Sequence, residues 1–348
     1  MLNRSAPPLV AQPLSTMTTL RLGGPADELV DATEREQLYA LVSEREEAGI
    51  PTLVLGAGSN LVIADEGFPG SVVRVRNAGI EHDPDVVCAG AVVTVEAGMD
   101  WDEFVVYAIE QEWVGIEALS GIPGTVGAVP VQNVGAYGQE VAQTISQVYC
   151  WDRERGLRRT FAWGDCGFGY RTSVFKQQPD RYVVGAVEFQ FRRGTLGTPI
   201  AYQQLADVLG VAVGTRVPAA AVRRAVLDLR RAKGMVLDPA DHDTWSAGSF
   251  FTNPLIDEAS LPAGAPSWPQ AHGRVKTSAA WLMEQSGFER GYGSGPVRVS
   301  SKHALALTNR GGGTTSELLA LATEIVAGVE SRFGIRLEPE PRLVNCTL

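Results

Sequence analysis

The stretch GIPGTVGAVPVQNVGAYG, residues 121–138, governs how the rest of the chain is read. It holds five glycines (Gly121, Gly124, Gly127, Gly135 and Gly138), Pro123 and Pro130, and no charged residue. In a helix interior glycine costs about 1 kcal/mol and proline about 3 kcal/mol, which excludes a helix. Ile122, Val126, Val129, Val131 and Val134 interleave with the glycines, which excludes a solvated linker. What remains is a buried, tightly folded loop whose backbone comes close to something. Glycine permits positive φ and close approach, so exposed N–H groups can bind an anion such as a pyrophosphate. A glycine-rich turn packed on a neighbouring strand would carry the same residues.

Upstream, a second loop of this kind follows a short buried strand, Thr52 to Leu55: Gly56-Ala57-Gly58-Ser59-Asn60. It lacks the third glycine and the immediate helix of a dinucleotide fingerprint, so a tight turn and a phosphate cradle are both open at this point. Residues 1–15 read as a loose extension. A strand ending at Asp31 precedes a helix that Thr33 caps, with Glu36 as its capping-box partner and Gly49 as its stop. Leu61 to Ile63 and residues 71–97 read as strands. Asp100 caps a helix through Phe104, Ala108 and Ile109, and residues 145–162 and 182–192 alternate as strands.

Downstream, Pro218 opens a helix to about Lys233, with Val222, Val226 and Leu229 inward. Arg223, Arg224, Arg230, Arg231 and Lys233 make it the one dense basic patch, readable as a solvated face or as an anion site. A helix near 276–286, a strand at Ala304 to Thr308, and a last helix capped by Thr314 and Glu317 and stopped by Gly334 complete the chain.

The 348 residues predict two or three domains, and a hydrophobic content of 45% supplies a sizeable core. A formal charge of −10 argues against general nucleic-acid binding but leaves room for an anionic small ligand. Cys88, Cys150, Cys166 and Cys346 form no metal-binding spacing, so no metal is expected. No signal peptide and no apolar run long enough to span a bilayer is seen, so a cytoplasmic protein without membrane attachment is expected. No protein partner is predicted.

Six ordered segments sharpen this reading: TTLRLGGPA (18–26), LGAGSNLV (55–62), the 121–138 loop, CGFGYRTSVFK (166–176), AGSFFTNP (247–254) and LEPEPR (337–342). Together they resemble the UDP-N-acetylenolpyruvoylglucosamine reductases, also called UDP-N-acetylmuramate dehydrogenases, of peptidoglycan precursor synthesis. The resemblance runs from about Thr18 to Arg342 and points to the subgroup with a tyrosine-bearing substrate loop. It implies an α+β fold: a two-part FAD-binding unit of the p-cresol-methylhydroxylase/vanillyl-alcohol-oxidase type plus a C-terminal substrate-binding domain. The implied boundaries are 1–78 with 337–348, 79–228 and 229–336.

The implied activity is an FAD oxidoreductase in which NADPH is the co-substrate and UDP-N-acetylglucosamine enolpyruvate is reduced to UDP-N-acetylmuramate. By the resemblance, Arg171 is the catalytic arginine, Ser249 the general acid and Glu340 the catalytic glutamate. Tyr202, Arg230, Lys233, Asn253 and His303 fall on diphosphate and uridine contacts. For FAD the expected contacts are the backbone amides of Gly56, Gly58, Ser59, Asn60, Gly121, Gly124 and Gly127, plus Asn133. Ala128 and Val129 stand where some relatives carry serines, so no side-chain hydrogen bond to the flavin is expected there. Two rivals stay open: an FAD oxidase of the same cofactor-binding superfamily, and a non-enzymatic flavin or UDP-sugar binder.

Overall fold

The computed structural model describes residues 12–82 and 90–348. Cys88 and most of the 1–15 extension lie outside the described residues. The fold is α+β and divides into two compact units. One unit takes the chain up to Asp27, Gly58–Pro69 and Ala232–Leu348; the other takes Glu28–Ala57 and Gly70–Arg231.

The second unit contains the larger sheet. Its strands run in the order Leu157–Ala162, Ile145–Asp152, Tyr182–Arg193, Ala91–Glu96, Ile80–His82, all antiparallel, with Trp113–Val114 added to the far end of Tyr182–Arg193. Ala91, Val93 and Val95 are buried while the residues between them are half-buried, the period of two that the pleat imposes. Helix Trp101–Glu110 packs its buried face, Trp101, Phe104, Val105 and Ala108, into this core. Phe104, Phe189 and Phe191 meet there, with ring centroids 5.1 to 6.0 Å apart. A three-stranded sheet, Ala26–Ala32, Phe68–Val75 and Thr52–Leu55, carries helix Arg35–Glu47. A satellite core of Ile200, Leu205, Ala206, Val222 and Val226 joins helices Gln203–Leu209 and Ala219–Ala232.

In the first unit, Leu61–Ile63 pairs in parallel with Arg342–Val344, so the C-terminal tail lies beside the strand that leaves the Gly56–Asn60 loop. A small antiparallel sheet (Leu255–Asp257, Arg274–Thr277, Ser267–Pro269) and the pair Val297–Val299 and Leu307–Asn309 complete its strands. Phe250, Phe251, Leu282, Met283, Leu318, Ile325, Val329 and Leu337 form its core. Helix Thr315–Phe333 has the expected capping box, with Gly334 left-handed at φ 67°. Asp65 adds a second cap, accepting from the N–H groups of Thr315 (2.7 Å) and Ser316 (2.9 Å).

Three local expectations are corrected. The first helix is preceded by Glu34, and Gln37, not Glu36, reaches back to the Thr33 N–H and hydroxyl, at 2.8 and 3.1 Å. Glu36 instead pairs with Arg158. The strand expected at Ala304 to Thr308 starts only at Leu307, because the Ser300 hydroxyl and the His303 carbonyl hold residues 302–306 in a turn. The helix expected from 276 begins at Ala279, after a strand that runs to Thr277.

Candidate active site

In the second unit the glycine loop folds back on the strand end before it. The N–H groups of Val126 and Gly127 donate to the carbonyls of Met99 (2.9 Å) and Ala97 (2.8 Å), and Trp101 donates to Gly124 (3.1 Å). The two glycine-rich loops approach each other here: a Cβ on Gly56 would stand 2.9 Å from Thr125 Oγ1. Gly121 is left-handed at φ 69°, and its N–H donates to Asp102 Oδ1 at 2.6 Å. The amides of Gly121 and Gly127 are thus committed to protein acceptors.

Asn133, buried and left-handed at φ 44°, spends its side chain within the protein. Nδ2 donates to Glu140 Oε2 at 2.9 Å and to the Gly169 carbonyl at 3.1 Å, and Oδ1 accepts from the Ala142 N–H at 3.1 Å. Val129 is buried in the core and Ala128 is exposed.

Arg171 sits at the tip of a tight turn in which Gly169 and Thr172 exchange backbone hydrogen bonds, with φ 52°. That turn is sewn to the glycine loop three times. Asn133 donates to Gly169, the Ser173 hydroxyl donates to the Val131 carbonyl, and Arg171 Nη2 donates to the Gly135 carbonyl at 2.8 Å. A guanidinium is charged at every working pH, so the turn presents a fixed cation beside the loop.

Arg230 is half-buried as a residue, but its charged head lies inside. Burial pushes its guanidinium down to about 10, against the opposing pull of Tyr137 and Asp102, and nearby Arg171 adds a like-charge push. Tyr137 meets Tyr202 edge to face, with centroids 5.8 Å apart. Tyr202 is 47% exposed at the start of helix Gln203–Leu209. The basic patch of the sequence is therefore not one solvated face. Arg223 makes a bidentate pair with Asp102 and Arg231 pairs with Asp228.

In the first unit, four of the six segments converge. The Thr19 N–H donates to the Gly58 carbonyl at 3.2 Å, and its hydroxyl donates to the Ser246 carbonyl at 2.7 Å. The segment containing Ser249 pairs with the tail. The Glu340 N–H donates to the Phe250 carbonyl at 2.8 Å, Thr252 donates to Glu338 at 3.1 Å, and Phe251 bridges Pro339. Asn60 Nδ2 donates to the Glu340 carbonyl at 3.5 Å and the Asn60 carbonyl accepts from the Arg342 N–H at 3.0 Å. Ser249 and Glu340 are thus on hydrogen-bonded neighbouring segments, both half-buried. Asn253 Oδ1 accepts from the Ala279 N–H at 2.9 Å, capping helix Ala279–Gln285. His303 Nδ1 accepts from the Leu305 N–H at 3.2 Å, and the Leu305 carbonyl accepts from Phe250. Lys233 follows the Ala219–Ala232 helix and is half-buried.

The candidate residues therefore fall into two groups. Gly56, Gly121, Gly124, Gly127, Asn133, Arg171, Tyr202 and Arg230 belong to the second unit; Gly58, Ser59, Asn60, Lys233, Ser249, Asn253, His303 and Glu340 belong to the first. Sequence reading passed over Asp102. It was hidden behind Asp100, which caps the helix by accepting from the Glu103 N–H at 3.0 Å.

Residues 26–157 match the family model described as FAD binding domain, and residues 238–344 match UDP-N-acetylenolpyruvoylglucosamine reductase, C-terminal domain. The UDP-N-acetylenolpyruvoylglucosamine reductase of Cutibacterium acnes is 53% identical over 339 residues, 97% of this chain and 90% of that protein. The chain belongs to the UDP-N-acetylenolpyruvoylglucosamine reductase family. A family member from Thermobifida fusca is 51% identical over 97% of this chain and 98% of its own. Among solved structures, UDP-N-acetylenolpyruvylglucosamine reductase (MurB) from Thermus caldophilus aligns with a TM-score of 0.63 and 26% identity over 96% of this chain and 97% of that one.

As a member of the reductase family with an FAD-binding domain, the chain is an FAD-dependent oxidoreductase. The residues fit that cofactor. Two uncharged glycine-rich turns come together where Gly56 faces the Thr125 side chain, with no room for a Cβ between them, and the first glycine of the long loop is held in the left-handed region. Among the described residues no cluster of three or more His, Cys, Asp or Glu could hold a metal ion. No helix among them is long and apolar enough to cross a membrane.

Proposed function

We propose that this reductase takes its electrons from NADPH and reduces UDP-N-acetylglucosamine enolpyruvate to UDP-N-acetylmuramate for peptidoglycan synthesis, in the cytoplasm. Bound FAD would supply the two-electron chemistry, accepting a hydride from NADPH and giving it to C3 of the enolpyruvyl group. The observation that carries the proposal is the Arg171 turn tied to the glycine loop at Gly135, Val131 and Asn133.

An enol ether is a poor electrophile, and its carboxylate is what allows hydride to add at C3. Negative charge then develops on C2 and the carboxylate. Arg171, fixed by its bond to the Gly135 carbonyl before the reaction begins, brings a permanent positive charge to that anion. Ser249 delivers the proton to C2. A hydroxyl is a weak acid, so the transfer needs neighbours that favour the departing proton's charge, and Lys233 is the candidate. Glu340 beside a developing anion must be protonated, or act through Arg171 or a water. Glu340→Gln is therefore expected to alter the pH–rate profile, and an unchanged profile would remove Glu340 from the mechanism.

Tyr202, Arg230, Lys233, Asn253 and His303 serve the UDP moiety in this reading, with Tyr202 on a segment that closes over the nucleotide. Gly56, Gly58, Ser59, Asn60 and Gly124 keep the role of amide donors to FAD. Gly121, Gly127 and Asn133 shape the loop, because their polar groups already have protein partners. The three-domain division at 78, 228 and 336 belongs to the same proposal.

Separate half-reactions test it. Ser249→Ala should keep flavin reduction by NADPH and lose roughly 10² to 10⁴ in flavin reoxidation by the sugar, the usual worth of positioned proton transfer. Equal damage to both halves would contradict the assignment. Bound FAD reducible by an alcohol but not by NADPH would favour an oxidase, and ligand binding without NADPH oxidation would favour a binding protein.

A further inference from the structure

Asp102 stands at the second position of helix Trp101–Glu110, where an acid is usually read as a partner for the helix dipole. Here Asp100 already caps that helix, and the Asp102 carboxylate is turned to other work. Oδ1 accepts from the Gly121 N–H at 2.6 Å and from Arg223 Nη1 at 2.5 Å; Oδ2 accepts from Arg223 Nη2 at 2.8 Å. Charge-assisted, bidentate bonds of this kind are the strongest and most directional a side chain makes. Burial alone pushes the Asp102 carboxyl up, but the Arg223 and Gly121 hydrogen bonds and the charges of Arg223 and Arg230 outweigh it and hold it below the ordinary value. One anion thus joins three pieces of chain: its own helix, the first glycine of the long loop, and helix Ala219–Ala232.

The second junction matters because of what that helix carries. Arg230 lies seven residues beyond Arg223, two helical turns along the same face. Fixing Arg223 therefore fixes the height and rotation of Arg230, whose charged head is inside and feels Arg171. The first junction matters because Gly121 is left-handed, and the direction in which the chain enters Ile122–Gly124 depends on that residue.

We propose that Asp102 is a positioning residue that sets the flavin loop and the Arg230 helix together, so that cofactor affinity and affinity for the anionic substrate are coupled through one carboxylate. The proposal rests on the FAD and UDP-sugar reading above. Asp102 touches neither ligand in it; it acts through Gly121 and Arg223.

The test uses full-length chain stripped of flavin and titrated with FAD by flavin fluorescence, with the thermal midpoint of the flavin-free protein measured alongside. Asp102→Asn turns the charge-assisted Gly121 bond into a neutral one and sets an N–H₂ group against Arg223 Nη2 in place of an acceptor. FAD should bind about ten-fold more weakly, the size expected for losing a charge-assisted hydrogen bond. In the reconstituted enzyme KM for the enolpyruvyl sugar should rise with a smaller change in kcat. The exchange Asp102→Arg with Arg223→Asp restores an ion pair but moves the carboxylate away from Gly121. It should recover the midpoint and leave FAD binding weak.

Recovery of both would make Asp102 an ordinary ion-pair partner and overturn the proposal. Should the exchange variant fail to fold, Arg223→Lys decides. It keeps the Gly121 bond, so FAD affinity should fall less than in Asp102→Asn, and an equal fall overturns the proposal. Failure of the starting protein to take up FAD would overturn the cofactor reading itself, and is recognised without any variant.

Discussion

The two segments that carry the proposed chemistry are held by different means. The glycine loop and the Arg171 turn are sewn together by side chains: Asn133, Ser173, Arg171 and, from the helix behind, Asp102. The Ser249 segment is held by backbone, through the Phe251–Pro339 bridge and the N–H groups of Glu340 and Thr252. A backbone-held segment keeps its shape when a side chain is removed, because the ladder remains. A side-chain-held loop loses shape and chemistry together. Ser249 can therefore be altered almost purely as a chemical group, while Arg171 and Asn133 cannot.

The largest expected effect sharpens that contrast. In Ser249→Ala, loss of roughly 10² to 10⁴ in reoxidation by the sugar should come with unchanged flavin content and thermal midpoint. A drop in midpoint beyond the ordinary scatter of surface changes would show that the hydroxyl also holds the segment. On the other side, Asn133→Ala strips three hydrogen bonds from a buried, left-handed position and should cost about 2–4 kcal/mol in denaturant unfolding. Flavin binding should fall with it, and a variant of full stability would break the comparison.

Gly121→Ala should be milder, about 1–2 kcal/mol, since alanine at φ 69° is strained though the N–H can still reach Asp102. Acid titration probes the same joint. Asp102 is held below its ordinary value of 3.8 in the folded chain, so its contribution is complete above that value and is lost as pH falls through the lower folded one. The loss of FAD affinity on acidification should therefore be shallower in Asp102→Asn. Thr314→Ala, which removes a cap in the first unit, should cost about 1 kcal/mol and leave flavin binding unchanged.

What the sequence made legible follows the range of each interaction. Thr314 with Glu317 and Gly334 could be read because cap and stop are local, and Asp100 because its partner is Glu103. Thr33 was assigned the wrong partner because Glu36 has the spacing of a capping box, yet Glu36 is drawn off by Arg158, far along the chain. The glycine loop announced itself by composition. Its individual donors did not, since whether Gly121 or Gly127 keeps a free N–H depends on Asp102 and Ala97 beside it in space. The segments around Ser249 and Glu340 were legible only as parts of an ordered set. Nothing in AGSFFTNP or LEPEPR by itself says that the two pair.

The central claim is that electrons pass from NADPH through bound flavin to the enolpyruvyl sugar. An anaerobic single-turnover spectrum tests it most directly: the flavin is bleached with NADPH and UDP-N-acetylglucosamine enolpyruvate is then added. Return of the yellow band without oxygen, with UDP-N-acetylmuramate formed, is the predicted result. A bleached flavin that recovers only when air is admitted would contradict it.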